Sequence, residues 1–321
     1  MQDSRKESAV VEDQNNGKTT GMESGYELWP SLPYDEWKDT YDTLHMWTQI
    51  VAKIRLTLTP PVNHWWHSSL YVTPRGLTTS PIPYHGRSFE IQFDFIDHNL
   101  NIHTSNGQTR YLGLYPRSVA DFYREVTAVI RSMGIEVKIN PMPQEVANPI
   151  RSDQDEVHAT YDPEYVERFR RILIEVDQVF KQFRGRFIGK CSPVHFWWGS
   201  FDLAVTRFSG RRAPVRPGAN RIDREAYSHE CSSAGFWPGS GHLLEPAFYA
   251  YTAPAPPGYD LVPIRPEKAY FDPKFSEFIL RYEDVRTAER PAEAILDFLQ
   301  STYGVGANLG NWDRANLELQ P

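Results

Sequence analysis

Four histidines and a handful of charged residues hold the chemistry this chain could do. His64 and His67 bracket a Trp65-Trp66 pair. His195 opens the run His195-Phe-Trp-Trp198-Gly-Ser-Phe-Asp202, which continues through Arg207 to Arg211, and His229 stands beside Glu230. Two or three imidazoles plus one carboxylate leave open positions on a divalent metal such as zinc or iron, so His64, His67, His195 and His229 form the candidate metal set. Used without a metal, His195, Asp202, His229 and Glu230 are the candidate catalytic acid/base groups, because imidazole and carboxylate can exchange protons near neutral pH. On a strand, adjacent His229 and Glu230 face opposite ways, so one of them must drop out. Arg207 and Arg211 offer the paired donors that grip a carboxylate or phosphate, and Trp66 and Trp198 could wall a substrate pocket. His45 on a helix, and His85, His98, His103 and His158 in turns or on the surface, read as structural. Asp94 and Asp97 could pair as carboxylates, although Asp97 also suits a turn. Cys191 and Cys231 read as small buried residues, since a reactive thiol needs a neighbour that lowers its pKa. There is no phosphate-binding glycine loop, nucleophile elbow, His-Glu-x-x-His pair or paired Cys-x-x-Cys motif.

The two Trp-Trp stretches align at a constant shift of 132 residues, which matches Pro61 with Pro193, Val62 with Val194, Ser68 with Ser200 and Arg75 with Arg207. Such a match implies an internal duplication. Within it Asn63 faces His195, His67 faces Gly199 and Leu70 faces Asp202, so the halves differ at polar positions. The expectation is one asymmetric site at the seam, with His64/His67 from one half and His195/Asp202 from the other. The Arg207 echo at Arg75 suggests a structural role, which leaves Arg211 as the better anion ligand.

The elements that must position these groups follow from periodicity. Asp35 caps a helix with Trp37, Tyr41, Leu44 and Val51 on one side, and Ile54–Leu58 alternates as a strand. Ser69–Thr73, the alternating Phe89–Phe95 run, Leu100–Ile102 and Tyr111–Leu114 then form an antiparallel meander. A helix capped by Ser118 and stopped by Gly134 follows, then a short strand at Ile135–Ile139 and a Pro-rich connection from Pro141 to Pro149. Asp162-Pro163 starts the second half's long helix. Phe187-Ile188 is read as a strand. Phe201, Leu203 and Val205 alternate with Ser200, Asp202, Ala204 and Thr206, giving one bulky face and one small polar face. Strands at Glu225–Ser232, Ala247–Thr252 and Phe278–Tyr282 and a helix at Pro291–Tyr303 complete the pattern. The fold class is therefore α+β, a helix–antiparallel meander–helix unit occurring twice as two pseudo-equivalent halves packed together. The first repeat covers 28–150 and the second covers 151–321, with a Pro/Gly-rich insertion at about 210–273. Residues 1–27 are too polar to offset the entropy of ordering and read as a disordered tail.

The His64-Trp-Trp-His67, Phe93-Asp-Phe-Ile-Asp-His98, Cys191-Ser-Pro-Val-His195 to Arg211 and Tyr227-Ser-His-Glu230 motifs resemble an uncharacterised bacterial family of unknown function over roughly residues 28–315. The resemblance implies a soluble bacterial protein and brings no activity, cofactor or catalytic residue with it. Composition narrows the class. A net charge of −7 argues against a broad nucleic-acid surface, and no apolar segment suggests a membrane span or leader. Two cysteines in 321 residues fit a reducing cytoplasm. The functional expectation is an enzyme with a His/carboxylate site between the halves, acting on a small polar or anionic substrate, with a divalent metal (zinc or iron) as the candidate cofactor. The rivals are a non-catalytic small-molecule binding or sensing protein and a structural, oligomer-forming partner protein. Oligomeric state is left open.

Overall fold

The computed structural model describes residues 27–319. The tail expectation for 1–27 falls outside these residues apart from Glu27. Helix α1 (Tyr34–Leu58) leads into a short 3-10 turn at Asn63–Trp65 and then the strands β1 (Tyr71–Thr73), β2 (Gly76–Thr78), β3 (Ile82–Tyr84), β4 (Arg87–Asp94), β5 (Asn99–Thr104) and β6 (Thr109–Gly113), closed by α2 (Val119–Ser132). The second half runs α3 (Pro163–Gly185), β7 (His195–Trp197), β8 (Asp202–Arg212), α4 (Arg221–Ala226), β9 (His229–Trp237), β10 (Ala247–Ala253), β11 (Tyr270–Asp272), β12 (Glu277–Arg281), α5 (Tyr282–Arg286), α6 (Pro291–Leu309) and α7 (Arg314–Leu317).

The helix starts follow the capping logic. Ser118 accepts the Asp121 amide at 3.1 Å, Gly134 ends α2 at φ 70°, and Asp162 caps α3 with Pro163 in its first turn. Helix α1 behaves differently from the expectation: Pro33, not Asp35, is its N-cap, and Asp35 and Glu36 sit in the first turn, where their charge suits the helix dipole. The strand expected at Ile54–Leu58 is the last turn and a half of the same helix. That helix is buried nearly all round from Leu44 to Arg55, so it shows no clear apolar stripe to tell helix from strand. Among the described residues Ile135–Ile139 pairs with no strand, and Phe187 makes one isolated bridge, to Glu318. The strand expected at Glu225–Ser232 divides into the end of α4 and the start of β9.

Both sheets are antiparallel, in the orders β1-β2-β4-β5-β6, with β3 on β4, and β11-β12-β10-β9-β8-β7. The fold is α+β, with a helix–meander–helix order in each half. The 132-residue register is not kept in space: Trp65 lies in the 3-10 turn, whereas Trp197 ends β7. The sheets meet at their first strands, where Leu70 and Phe196 exchange both backbone hydrogen bonds at 2.9 Å. One hydrophobic core crosses this seam. The Phe169 ring lies 5.2 Å from Trp37 and 5.4 Å from Phe201, and Trp47 stacks on Phe122 at 4.6 Å.

Candidate functional site

Alternation along the second sheet creates the site. Leu203, Val205 and Arg207 of β8 point to the helix layer and are fully buried, which sends Asp202, Ala204, Thr206 and Phe208 to the opposite face. Cys231 and Ser233 of β9 and Tyr249 and Tyr251 of β10 join them there, because paired strands keep the same parity. That face is the floor of a cavity of about 840 Å³. The first half supplies Lys53 from α1, the Trp65-Trp66 pair, and Asn140, Gln144 and Glu145 from the Pro-rich connection. Trp197 and Trp198 complete the aromatic wall, and the α4 segment lies over it with Asp223 and Tyr227. The indoles that do not superpose as a repeat thus share one chamber at the seam.

Asp202 is 4% exposed and accepts hydrogen bonds from the Ser200 and Tyr249 hydroxyls. The Tyr249 ring can reach it because Gly235 lies beneath: a Cβ there would stand 2.4 Å from the phenol. Burial pushes the Asp202 carboxyl up to about 6 against those two donors, and the charge of Glu145 adds to the rise. Glu277 on β12 is pushed up to about 7, by burial and then by Asp202. Glu145 is open to the cavity space, yet enough protein flanks it to raise its carboxyl as well, with Asp223 contributing. It has no hydrogen-bond partner among the described residues, and its backbone is left-handed at φ 57°. Burial also lowers the Lys53 ammonium to about 8, where its one acceptor is the Met142 carbonyl at 2.5 Å. A donor or acceptor working at neutral pH wants a pKa near 7, and here carboxyls are driven up and an amine down toward that value. His64 and Trp65 are consecutive left-handed residues at φ 56° and 62°, so backbone strain also gathers on this wall.

Of the site residues expected from the sequence, Asp202, Trp66, Trp198 and His64 line the cavity, whereas His67, His195, Arg207, Arg211, His229 and Glu230 do not. His195 is fully buried, with the Trp66, Trp197 and Tyr71 rings at 5.8, 5.0 and 5.5 Å and no partner for either nitrogen among the described residues. Burial drops its imidazole to about 3, which removes it as a base near neutral pH. Arg207 is a core residue: its guanidinium lies 3.4 Å from the Phe183 ring centroid, stacks on Tyr303 and donates to the Phe183 carbonyl. Arg211 binds Glu230 at 2.7 Å and the Asn311 and Gly310 carbonyls at 3.0 and 2.5 Å. It ties the β8–β9 edge to the end of α6, so the anion clamp expected from Arg207 and Arg211 is spent inside the fold and Glu230 with it.

The metal set does not assemble. His64 donates Nδ1–H to the Ala226 carbonyl at 3.0 Å and accepts from the Lys190 ammonium at 2.7 Å, which occupies both nitrogens. His67 Nδ1 accepts the Val62 amide, and His229 meets Ser228 at 3.0 Å, its ring 5.8 Å from that of His64. Among the described residues no three His, Cys, Asp or Glu side chains stand together at metal-holding distance. Neither thiol is activated: burial raises Cys191 to about 11 and Cys231 to about 12. Asp94 is instead held by Arg75 at 2.5 Å, with Asp97 on the same guanidinium.

Lys53, Glu145 and Tyr249 were not singled out. Lys53 had a signal, a lone cation in the apolar run Ile50-Val-Ala-Lys-Ile54, and Tyr249 and Tyr251 share a parity in their strand. Glu145 had none, since only tertiary folding brings the Pro-rich connection to the seam.

The chain belongs to the family of unknown function DUF5996, whose model matches residues 29–319. No curated protein and no solved structure is matched by the chain. No helix among the described residues is long and apolar enough to cross a membrane.

Proposed function

We propose that the seam cavity is the active site of an acid/base enzyme acting on a small polar molecule, with Asp202 and Glu145 exchanging protons with the substrate and Lys53 as the neighbouring cation. The observation that carries this reading is the position of Asp202. A carboxyl with its pKa near 6 is held by two hydroxyls on the floor of a chamber walled by indoles, and a second carboxyl without a partner faces the same space. Structural carboxylates elsewhere in the fold are held by a cation or by backbone amides, as Asp94 is by Arg75 and Asp162 by the first turn of α3, whereas Asp202 is met by two side-chain hydroxyls and no cation. Tyr249 and Ser200 fix the direction of Asp202, and its burial at the floor of the cavity strengthens each electrostatic contact it makes. Both cysteines are free, and we place the activity in a reducing cytoplasm.

The test is a screen of hydrolytic and group-transfer substrates with the wild-type chain, D202N, E145Q and R211A. Any turnover found is expected to fall by at least 100-fold in D202N and to persist in R211A. The acid limb of the wild-type pH profile should lie near pH 6. Turnover that survives both D202N and E145Q would overturn the assignment.

A further inference from the structure

Resting on the reading of the cavity as an active site, we propose that its ligand is a neutral, polyhydroxylated ring, a saccharide unit stacked on the indole wall. Charge on the two sides of the cavity rules out the other small-molecule classes. Among the described lining residues an anion would meet the carboxyl groups of Glu145, Asp202 and Asp223 against one ammonium, Lys53; Lys190 and Arg221 lie against the indoles and are held by His64 and Glu225, and Arg207 and Arg211 are bound within the fold. An organic cation would fit those carboxylates, and indoles attract cations. The indoles, however, already carry cations of their own: Lys53 stands 5.8 Å from the Trp198 ring, Lys190 5.4 Å from Trp66 and Arg221 5.7 Å from Trp65. A further cation against the same rings would be repelled.

What remains is a neutral ligand that offers flat apolar C–H faces together with groups that both donate and accept hydrogen bonds. The walls supply the complement of each. Four indoles line the walls, and between them stand polar groups with capacity left: Asn140 and Asn220 each use Oδ1 on a backbone amide and keep their Nδ2 donors, Gln144 keeps Oε1 as an acceptor, and the Thr206 and Tyr227 hydroxyls each hold one neighbour, Ser233 and Tyr251. Carboxylates such as Glu145 accept from paired hydroxyls. A cavity of about 840 Å³ admits one or two sugar rings with bound water.

The experiment is calorimetric titration of the full chain, with tryptophan emission followed in parallel. The neutral probes are glucose, N-acetylglucosamine, maltose, cellobiose and trehalose; choline chloride is the cationic probe and sodium citrate the anionic one. At least one neutral saccharide is expected to saturate with a Kd of a few millimolar or tighter and to shift the emission. W66A and Q144A should weaken that binding at least fivefold. Trp66 packs against His64, so Q144A, whose side chain is exposed, serves as the variant that keeps the fold intact. Saturation by choline or citrate with no response to any saccharide would overturn the ligand class while leaving the cavity as a binding site. Silence from every saccharide overturns the class as well. Whether the cavity is an acid/base site is read separately, from ¹³C-detected titration of the Asp202 carboxyl, expected near pH 6 and absent in D202N. A midpoint below 4 would sink the active-site reading itself.

Discussion

Replacing Asp202 by Asn should stabilise the protein at neutral pH, and the size of that gain should depend on pH in a way no packing change can imitate. Burial raises the Asp202 carboxyl from 3.8 to about 6 in the fold. A carboxyl whose folded pKa is raised keeps its proton more firmly when folded than when unfolded. The folded state therefore suffers no penalty below pH 3.8, loses stability as pH climbs from 3.8 to 6, and carries the full cost above 6. A rise of that size corresponds to about 3 kcal/mol. Asn is neutral throughout and fits the same space between Ser200 and Tyr249, whose hydroxyls can turn to serve its amide. Stability measured by urea denaturation, variant minus wild type, should thus widen by about 2 kcal/mol between pH 4 and pH 8. In thermal melts of a chain this size that is roughly 3 °C. Any constant offset from altered hydrogen bonding drops out of the comparison. A difference that stays flat across this range, or narrows, would show that Asp202 is ionised at no cost, and the chemistry assigned to it would lose its basis.

Three further outcomes follow from neighbouring features. G235A should cost about 1–3 kcal/mol by denaturation, because the new methyl meets the Tyr249 phenol at 2.4 Å and the ring must shift to admit it. If the displaced phenol loses its contact to Asp202, a contact that holds the carboxyl down, the apparent midpoint of any pH-dependent turnover should rise; an unchanged midpoint would show that the contact survives. R211A should lose about 1 kcal/mol through the freed end of α6 and the unpaired Glu230, with ligand binding unchanged; weakened binding would return Arg211 to the site. His195 and His45, whose imidazoles burial lowers to about 3 and about 4, are neutral in the fold. Their unfolded counterparts take up protons below pH 6.5, so wild-type stability should fall as pH drops from 6.5 toward 3. H195L should flatten that decline, and an unchanged slope would place the acid sensitivity elsewhere.

Much of the scaffold could be read from residue types because local chemistry and tertiary packing agree there. Ser118, Gly134 and Asp162-Pro163 mark helix ends by satisfying backbone groups that any helix leaves open, whatever lies around it. The alternation of β8 was legible as one bulky and one small polar face, and the polar face became the cavity floor. Legibility failed where burial removed the contrast. In the 54–58 stretch of α1 the charged Arg55 is buried, reaching inward to the carbonyls of His67, Ser69 and Thr79, while Leu56 and Leu58 are only half-buried, so apolar alternation over five residues carried no information on period. The arginines failed for a related reason. A guanidinium in the sequence suggests an anion, but its planar fork serves backbone carbonyls and aromatic faces equally well, and Arg207 and Arg211 are used that way.

Histidine was the more instructive failure. His195 draws attention in the sequence because it opens a Trp-rich run that also holds Asp202, and an imidazole with a carboxylate can bind a metal or exchange protons. Both its nitrogens are buried without partners among the described residues, which is costly, yet the group that meets solvent-like space is Asp202, across the hairpin turn from Trp197. The two differ in what surrounds them. Aromatic rings at 5–6 Å enclose His195 and leave no volume for a reacting molecule, whereas Asp202 has hydroxyl donors on one side and the open chamber on the other. A buried polar atom marks a site only when a cavity adjoins it, and adjacency across a seam between halves is a property of the fold. Glu145 shows the same rule from the opposite direction. It sits in a proline-rich connection with nothing in its neighbours to distinguish it, and becomes a candidate because the connection crosses the seam with its backbone held left-handed and its carboxyl over Gly199. Strain at His64, Trp65 and Glu145, desolvation at Asp202 and Lys53, and unpaired polar surface all fall on one chamber wall, where their combined cost is understandable only if something binds there.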